Sequence, residues 1–337
     1  MIKYLYTTAI IFCCIWQAKA QDIHFSQYDN APLNMNAAHT GMFDGEYRIM
    51  ANYRSQWFDV PVAYRTASIA FDASIMPREL KGDRWGIGLT FNHDQAGDSK
   101  MSLLNLYLST AYNKRIAKNF FVGAGIQLGY ANRRFQLSEL TFNDQYNGDV
   151  FDPNIQSFDQ SKFADKNNIS YLDINGGINF RYERDKRTWM NFGLSLFHLN
   201  RPNQSFTGID ALLPRRTNLL FNGSFAIVER FDILPTLWWQ KQQDYQELVF
   251  GATMKYYLNS AVLSRSAIQF GLLYRWSDAL IVRLGYEYKQ FQVALSYDIN
   301  VSGFTAATRG NGGYELSLRY IWGTVPTRIE VRTCPVF

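Results

Sequence analysis

Between Leu280 and Asn300 the sequence alternates almost without error. Leu280, Val282, Leu284, Tyr286 and Tyr288 interleave with Ile281, Arg283, Gly285, Glu287 and Lys289. After the break at Lys289–Gln290, Phe291, Val293, Leu295, Tyr297 and Ile299 interleave with Gln292, Ala294, Ser296, Asp298 and Asn300. A strand sends successive side chains to opposite faces, so each run has one apolar and one polar face. Each also has roughly the 9–11 residues a tilted strand needs to cross a bilayer. Beyond the first twenty residues no apolar run is long enough for a spanning helix. In lipid, such a chain must close into a barrel, because only closure pairs every backbone group.

The pattern recurs along the chain. Gly45–Arg54, Ala63–Ala73, Trp85–Asn92, Leu104–Tyr112 and Phe120–Gln136 precede a long polar break at Leu137–Ile169. Leu172–Arg181, Thr188–Leu199, Thr217–Val228, Phe231–Gln240, Tyr245–Leu258, Arg265–Trp276 and Gly313–Trp322 then join the two opening runs. The count is about fourteen strands, an even number as bacterial barrels require. The connectors Leu137–Ile169, Asn200–Arg216 and Val301–Gly312 fall on odd positions, whereas Glu183–Lys186, Glu229–Arg230 and Lys289–Gln290 fall on even ones. Long outer loops and short periplasmic turns produce that asymmetry, with both chain ends on the periplasmic side. Ser74–Asp83 and Ser277–Asp278 are exceptions. Aromatic residues make up 16% of the chain, which favours a barrel with interfacial girdles over a soluble double sandwich.

Residues 1–20 read as a secretory signal, with Lys3, an apolar core from Tyr4 to Trp16, and Ala18-Lys19-Ala20 as the cleavage site. Residues 21–44 lack periodicity and form an irregular lead segment that could plug the lumen. The barrel then spans 45–323, and 324–337 form a periplasmic tail. Cys13 and Cys14 fall in the signal, leaving Cys334 and no intrachain disulfide. A dispersed net charge of +5 gives no nucleic-acid footprint.

The polar faces carry Asp173, Arg181, Glu183, Arg275, Arg283, Glu287, Asp298, Glu315 and Arg319, all expected in the lumen. Two readings follow: a hydrated, solute-selecting channel, or a filled lumen whose charges pair with each other and with the lead segment. An unpaired charge in a narrow interior is costly, and both signs occur in similar number, so the filled lumen is favoured. Gly123, Gly125 and Gly129 share the inner face of one strand, making room for a plug or relieving curvature. His24, His39, His93 and His198 are scattered, and neither H-E-x-x-H nor G-x-S-x-G occurs, so no enzyme and no cofactor are expected. Asp144, Asn147, Asp149 and Asp152 cluster in the fifth connector, where oxygen ligands could hold Ca²⁺, although the spacing is not that of an EF-hand.

Several short motifs, in order, carry a resemblance. His24-Phe25-Ser26-Gln27-Tyr28, Ala31-Pro32-Leu33, Asn36-Ala37-Ala38 with Thr40-Gly41, and Asn52-Tyr53-Arg54-Ser55-Gln56-Trp57 open the mature chain. Tyr297-Asp298-Ile299-Asn300, Arg309-Gly310, Gly312-Gly313, Tyr314-Glu315-Leu316-Ser317-Leu318 and Cys334-Pro335-Val336-Phe337 close it. Together they resemble the PorP/SprF family of the type IX secretion and gliding machinery. The family usually has proline where this chain has Ala37. The resemblance implies a non-enzymatic outer-membrane barrel linking the translocon, or secreted surface adhesins, to periplasmic ring or peptidoglycan-linked lipoproteins. His24, Phe25, Gln27, Tyr28, Arg54, Trp57, Cys334 and Phe337 become candidate partner contacts, placed at the periplasmic rim with the chain ends. The alternative is a porin or solute transporter with an open polar lumen.

Overall fold

The computed structural model describes residues 22–323 apart from 58–63, 76–81, 98, 153, 156, 163–166, 260–265 and 304. Cys334, Phe337, the signal and the tail lie outside the described residues. Fourteen antiparallel strands form a closed barrel in which each strand pairs with its neighbours in sequence and the last pairs with the first. They are β1 Tyr47–Gln56, β2 Tyr64–Ile75, β3 Arg84–Ala96, β4 Met101–Ala117, β5 Phe120–Arg134, β6 Asn168–Asp185 and β7 Thr188–Phe197. The second half comprises β8 Arg216–Val228, β9 Phe231–Gln242, β10 Tyr245–Tyr257, β11 Ser266–Arg275, β12 Ala279–Tyr288, β13 Phe291–Asn300 and β14 Asn311–Trp322. The seam is in register over ten pairs, from Tyr47 opposite Trp322 to Gln56 opposite Gly313.

The alternation sorts side chains as the pleat requires. Outward positions are apolar and uncovered: Ile69, Leu108, Leu128, Leu284 and Leu295 are each more than half exposed, a face suited to lipid rather than water. Aromatics ring both ends. Tyr47, Trp322 and Tyr320 stack at the short-turn end, with successive ring centroids 5.5 Å apart. Trp57 with Tyr64, and Tyr274 with Trp276, mark the opposite end.

The lead segment fills the interior. Its backbone folds into 3-10 turns at Tyr28–Asn30, Pro32–Asn34 and Ala37–His39. The last turn forms with alanine at its first position, and the Asn36 side chain caps it by accepting from the Ala38 N–H. Asp22 meets His198, in the long connector after β7, whereas the Glu46 N–H donates to the Trp322 carbonyl at the other end. The segment therefore runs from the long-loop end, through the lumen, to the short-turn end where β1 begins. The segment fills the lumen, but Asp22 lies at the long-loop end and not at the short-turn rim expected for both chain ends.

Candidate functional site

Three polar clusters and one apolar core fix the lead segment. At the long-loop end, Arg275 reaches Glu247 at 2.7 Å, Asp298 at 3.0 Å and Asp278 at 3.1 Å. Its Nη2 also donates to the Ser26 hydroxyl at 2.6 Å, and that hydroxyl donates to Asp298. Arg54 approaches Asp298 at 3.2 Å and donates to the His24 carbonyl. Glu315, fully buried on β14, accepts the backbone N–H groups of Ser26 (2.7 Å) and Gln27 (2.9 Å). Lead-segment donors thus meet wall carboxylates, while wall arginines balance their charge. Charge-assisted bonds of this kind are about twice as strong as neutral ones.

A second cluster tethers the start of the lead segment. His198 lies between Asp22 (2.5 Å) and Asp173 (2.9 Å), and Arg216 stands 3.4 Å from Asp22. Burial opposes the imidazolium, but the two carboxylates outweigh it and hold the His198 pKa up at about 9. Burial likewise opposes the Asp22 carboxylate, yet His198 and Arg216 hold its pKa below the usual range. Burial next to Arg54 and Arg275 instead keeps His24 neutral, with its pKa well below the ordinary imidazole value.

The third cluster lies towards the short turns. Arg48 binds Asp72 through two nitrogens, and Asp72 also accepts the Gly41 N–H at 2.8 Å. Here the lead backbone presses directly on the wall. A Cβ on Gly86 would stand 2.2 Å from the Thr40 carbonyl oxygen, and one on Gly125 would stand 2.5 Å from the Ala37 carbonyl. Gly125 makes room for the lead segment, whereas Gly123 and Gly129 make room for the side chains of Asn113 and Tyr107 on β4. Between these clusters Tyr28 and Met35 pack on Leu220, Trp238, Val249, Leu273 and Ile281. Each side chain so buried contributes about 1.5–3 kcal/mol. The alternation reading had assigned inward positions to polar residues, and the apolar exceptions Leu220, Trp238, Val249, Leu273 and Ile281 mark where the lead segment packs.

The structure places Asp173, Arg181, Arg275, Arg283, Asp298 and Glu315 in the buried interior, with Glu287 and Arg319 lining the lumen nearer the short turns. Arg283 binds Asp29 at 2.7 Å, and Glu287 pairs with Lys255 and, at 3.6 Å, with Arg319. Phe25, Gln27, Tyr28 and Arg54 are buried in the lumen, His24 beside them, and among the described candidates only Trp57 sits at a rim, the one with the long loops. In the fifth connector, Asp144 accepts from Ser157 and Phe158, Asn147 from Asp149 and Val150, and Asp152 from Asn154. These are turn-capping roles, and among the described residues no group of three His, Cys, Asp or Glu side chains could hold a metal.

Residues 17–320 match the family described as type IX secretion system membrane protein PorP/SprF. The chain belongs to the PorP/SprF family. No curated protein matches the sequence. Among solved structures, the toluene transporter TbuX of Ralstonia pickettii is similar at 12% identity and a TM-score of 0.51, over 86% of this chain and 92% of that one. The monoaromatic hydrocarbon channel CymD is similar at 9% identity and a TM-score of 0.50, over 87% and 93%. At such identity the likeness concerns the fold. A PorP/SprF barrel with an even strand number and aromatic girdles belongs in the outer membrane. Membership also associates it with type IX secretion components.

Proposed function

We propose that this PorP/SprF barrel is a non-enzymatic scaffold of type IX secretion and gliding, linking the translocon or secreted surface adhesins to periplasmic machinery. The observation that supports this over a porin is the lead segment, bound from end to end of the lumen. A solute path would need that space, and the charges that would select a solute are engaged by Ser26, Gln27 and Asp29. With the lumen occupied, partners must engage the rims. In this reading the tail carrying Cys334 and Phe337, and the Trp57 rim outside, are the candidate contacts.

The test is crosslinked affinity capture of the tagged protein from outer membranes, with mass spectrometry of the co-purifying proteins. Type IX components and surface adhesins are expected. Capture without them, together with a large steady conductance of the purified barrel in planar bilayers, would replace the scaffold with a porin.

A further inference from the structure

Below the lead segment the lumen opens into a cavity of about 400 Å³. Tyr28, Asp29 and Pro32 line its inner end, the Met42–Asp44 stretch runs down one side, and its walls reach Lys186 and Lys289 at the tips of two short turns. It is a blind vestibule facing the periplasm. Seven lysines and arginines line it; Arg48 and Arg181 pair with Asp72 and Glu183, Arg283 with Asp29, and Lys255 and Arg319 share Glu287, while Lys186 and Lys289 stand at its mouth. Near its roof, Arg283 is 4% exposed and gives only Nη1 to Asp29, whereas its Nε and Nη2 have no hydrogen-bond partner. A buried guanidinium with free donors favours an incoming anion strongly, because an acceptor there removes a desolvation cost already incurred. Phe43 and Trp189 supply aromatic surface in the same cavity.

We propose that this vestibule is a binding site for an acidic peptide segment of a periplasmic protein, with its carboxylates drawn towards Arg283 and Arg319 and its apolar side chains against Phe43 and Trp189. Three observations select a peptide over a free solute. The cavity ends at the lead segment, so a solute entering it has no onward route. Its lining mixes cations with aromatics, which suits carboxylates alternating with apolar side chains. Its volume lies within the usual range for a ligand site and accommodates a few residues of extended chain. The site rests on the scaffold reading only for the origin of the peptide; binding itself is measurable on the barrel alone.

The experiment is fluorescence anisotropy of a labelled tetrapeptide of glutamate and leucine, titrated with the purified full-length barrel in detergent. Its glutamine counterpart and free glutamate serve as comparators. Saturable binding of the acidic peptide is expected, weakened by salt as exposed ion pairs are. The double variant Lys186→Glu, Lys289→Glu should weaken it at least about tenfold, equivalent to about 1.4 kcal/mol. Both side chains are exposed on turns, so the variant retains the heat-modifiable gel mobility of a folded barrel. Arg319→Gln provides a second variant, on the wall, expected to weaken binding in the same direction. Equal binding of the glutamine peptide, no saturable binding, or competition by free glutamate as effective as by the peptide would each overturn the proposal. Failure here with type IX partners still captured removes the vestibule and leaves the scaffold; the converse result removes the scaffold alone.

Discussion

Asp298→Asn isolates the charge that holds the outer half of the lead segment. The substitution preserves shape and leaves an oxygen to accept from Ser26, 2.8–2.9 Å away. It removes the carboxylate facing Arg275 at 3.0 Å and Arg54 at 3.2 Å, both almost fully buried. Removing one member of a buried ion pair typically costs about 3–5 kcal/mol, because the other charge stays desolvated. Arg275 keeps Glu247 and Asp278, and Arg54 keeps Glu315 at 4.0 Å, so the lower end, about 3 kcal/mol, applies. Asp298, Arg275 and Arg54 all stand on the wall, and the lead segment is what keeps the arginines from water, so its displacement hydrates them and relieves that cost. At about 1.4 kcal/mol per decade, the population with a displaced lead segment should rise about a hundredfold. Hydrogen exchange read by mass spectrometry should show protection of residues 22–30 falling by that factor while β4 and β5 are unchanged. Bilayer recordings should show intermittent openings absent from the wild type. Unchanged exchange in residues 22–30 beside a silent bilayer would refute the claim that this cluster retains the lead segment.

Three further outcomes follow from other contacts. Gly86→Val drives a side chain into the Thr40 carbonyl, a backbone atom held in place by the Gly41 bond to Asp72. An overpacking cost of about 1–3 kcal/mol should appear as faster exchange at residues 37–42. His198 has a folded-state pKa near 9, above its ordinary value of 6.5, so its stabilising charge is fully present below pH 6.5 and is lost as pH rises through 9. Protection around Asp22 should therefore fall between pH 7 and 10, and His198→Gln should abolish that dependence; a dependence that survives the substitution would assign it to another group. Leu284→Arg places a charge on the lipid face in the middle of β12, where about 2–4 kcal/mol is expected in a urea-titrated folding assay in vesicles.

The barrel was legible because its period is local. Fourteen runs of alternation, the hairpin at Lys289–Gln290 and the asymmetry of the connectors are all readable from neighbouring residues, and the strands fall within a few residues of those runs. The second run, Ala63–Ala73, is the strand Tyr64–Ile75. The lead segment was harder, since it has no period and its partners are distant. Asp22 and His198 are 176 residues apart in sequence, and Ser26 and Glu315 are 289 apart. A signal did exist in the wall. Ile281 and Trp238 break otherwise polar inner faces, and Gly125 removes a side chain where Ala37 approaches. Inward apolar residues in a barrel imply something apolar to pack against, but only three-dimensional proximity shows that Tyr28 and Met35 supply it.

The first and last strands of this barrel meet through their backbone ladder and the Tyr47–Trp322 stack, and the lead segment touches both from inside. Asn52 on β1 donates to the Asn30 carbonyl, while Asn30 and Gln27 bond Ser317 and Glu315 on β14. The plug is thus also an internal clasp across the seam, and its side-chain bonds favour this pairing of strands, in this register, over a slipped one.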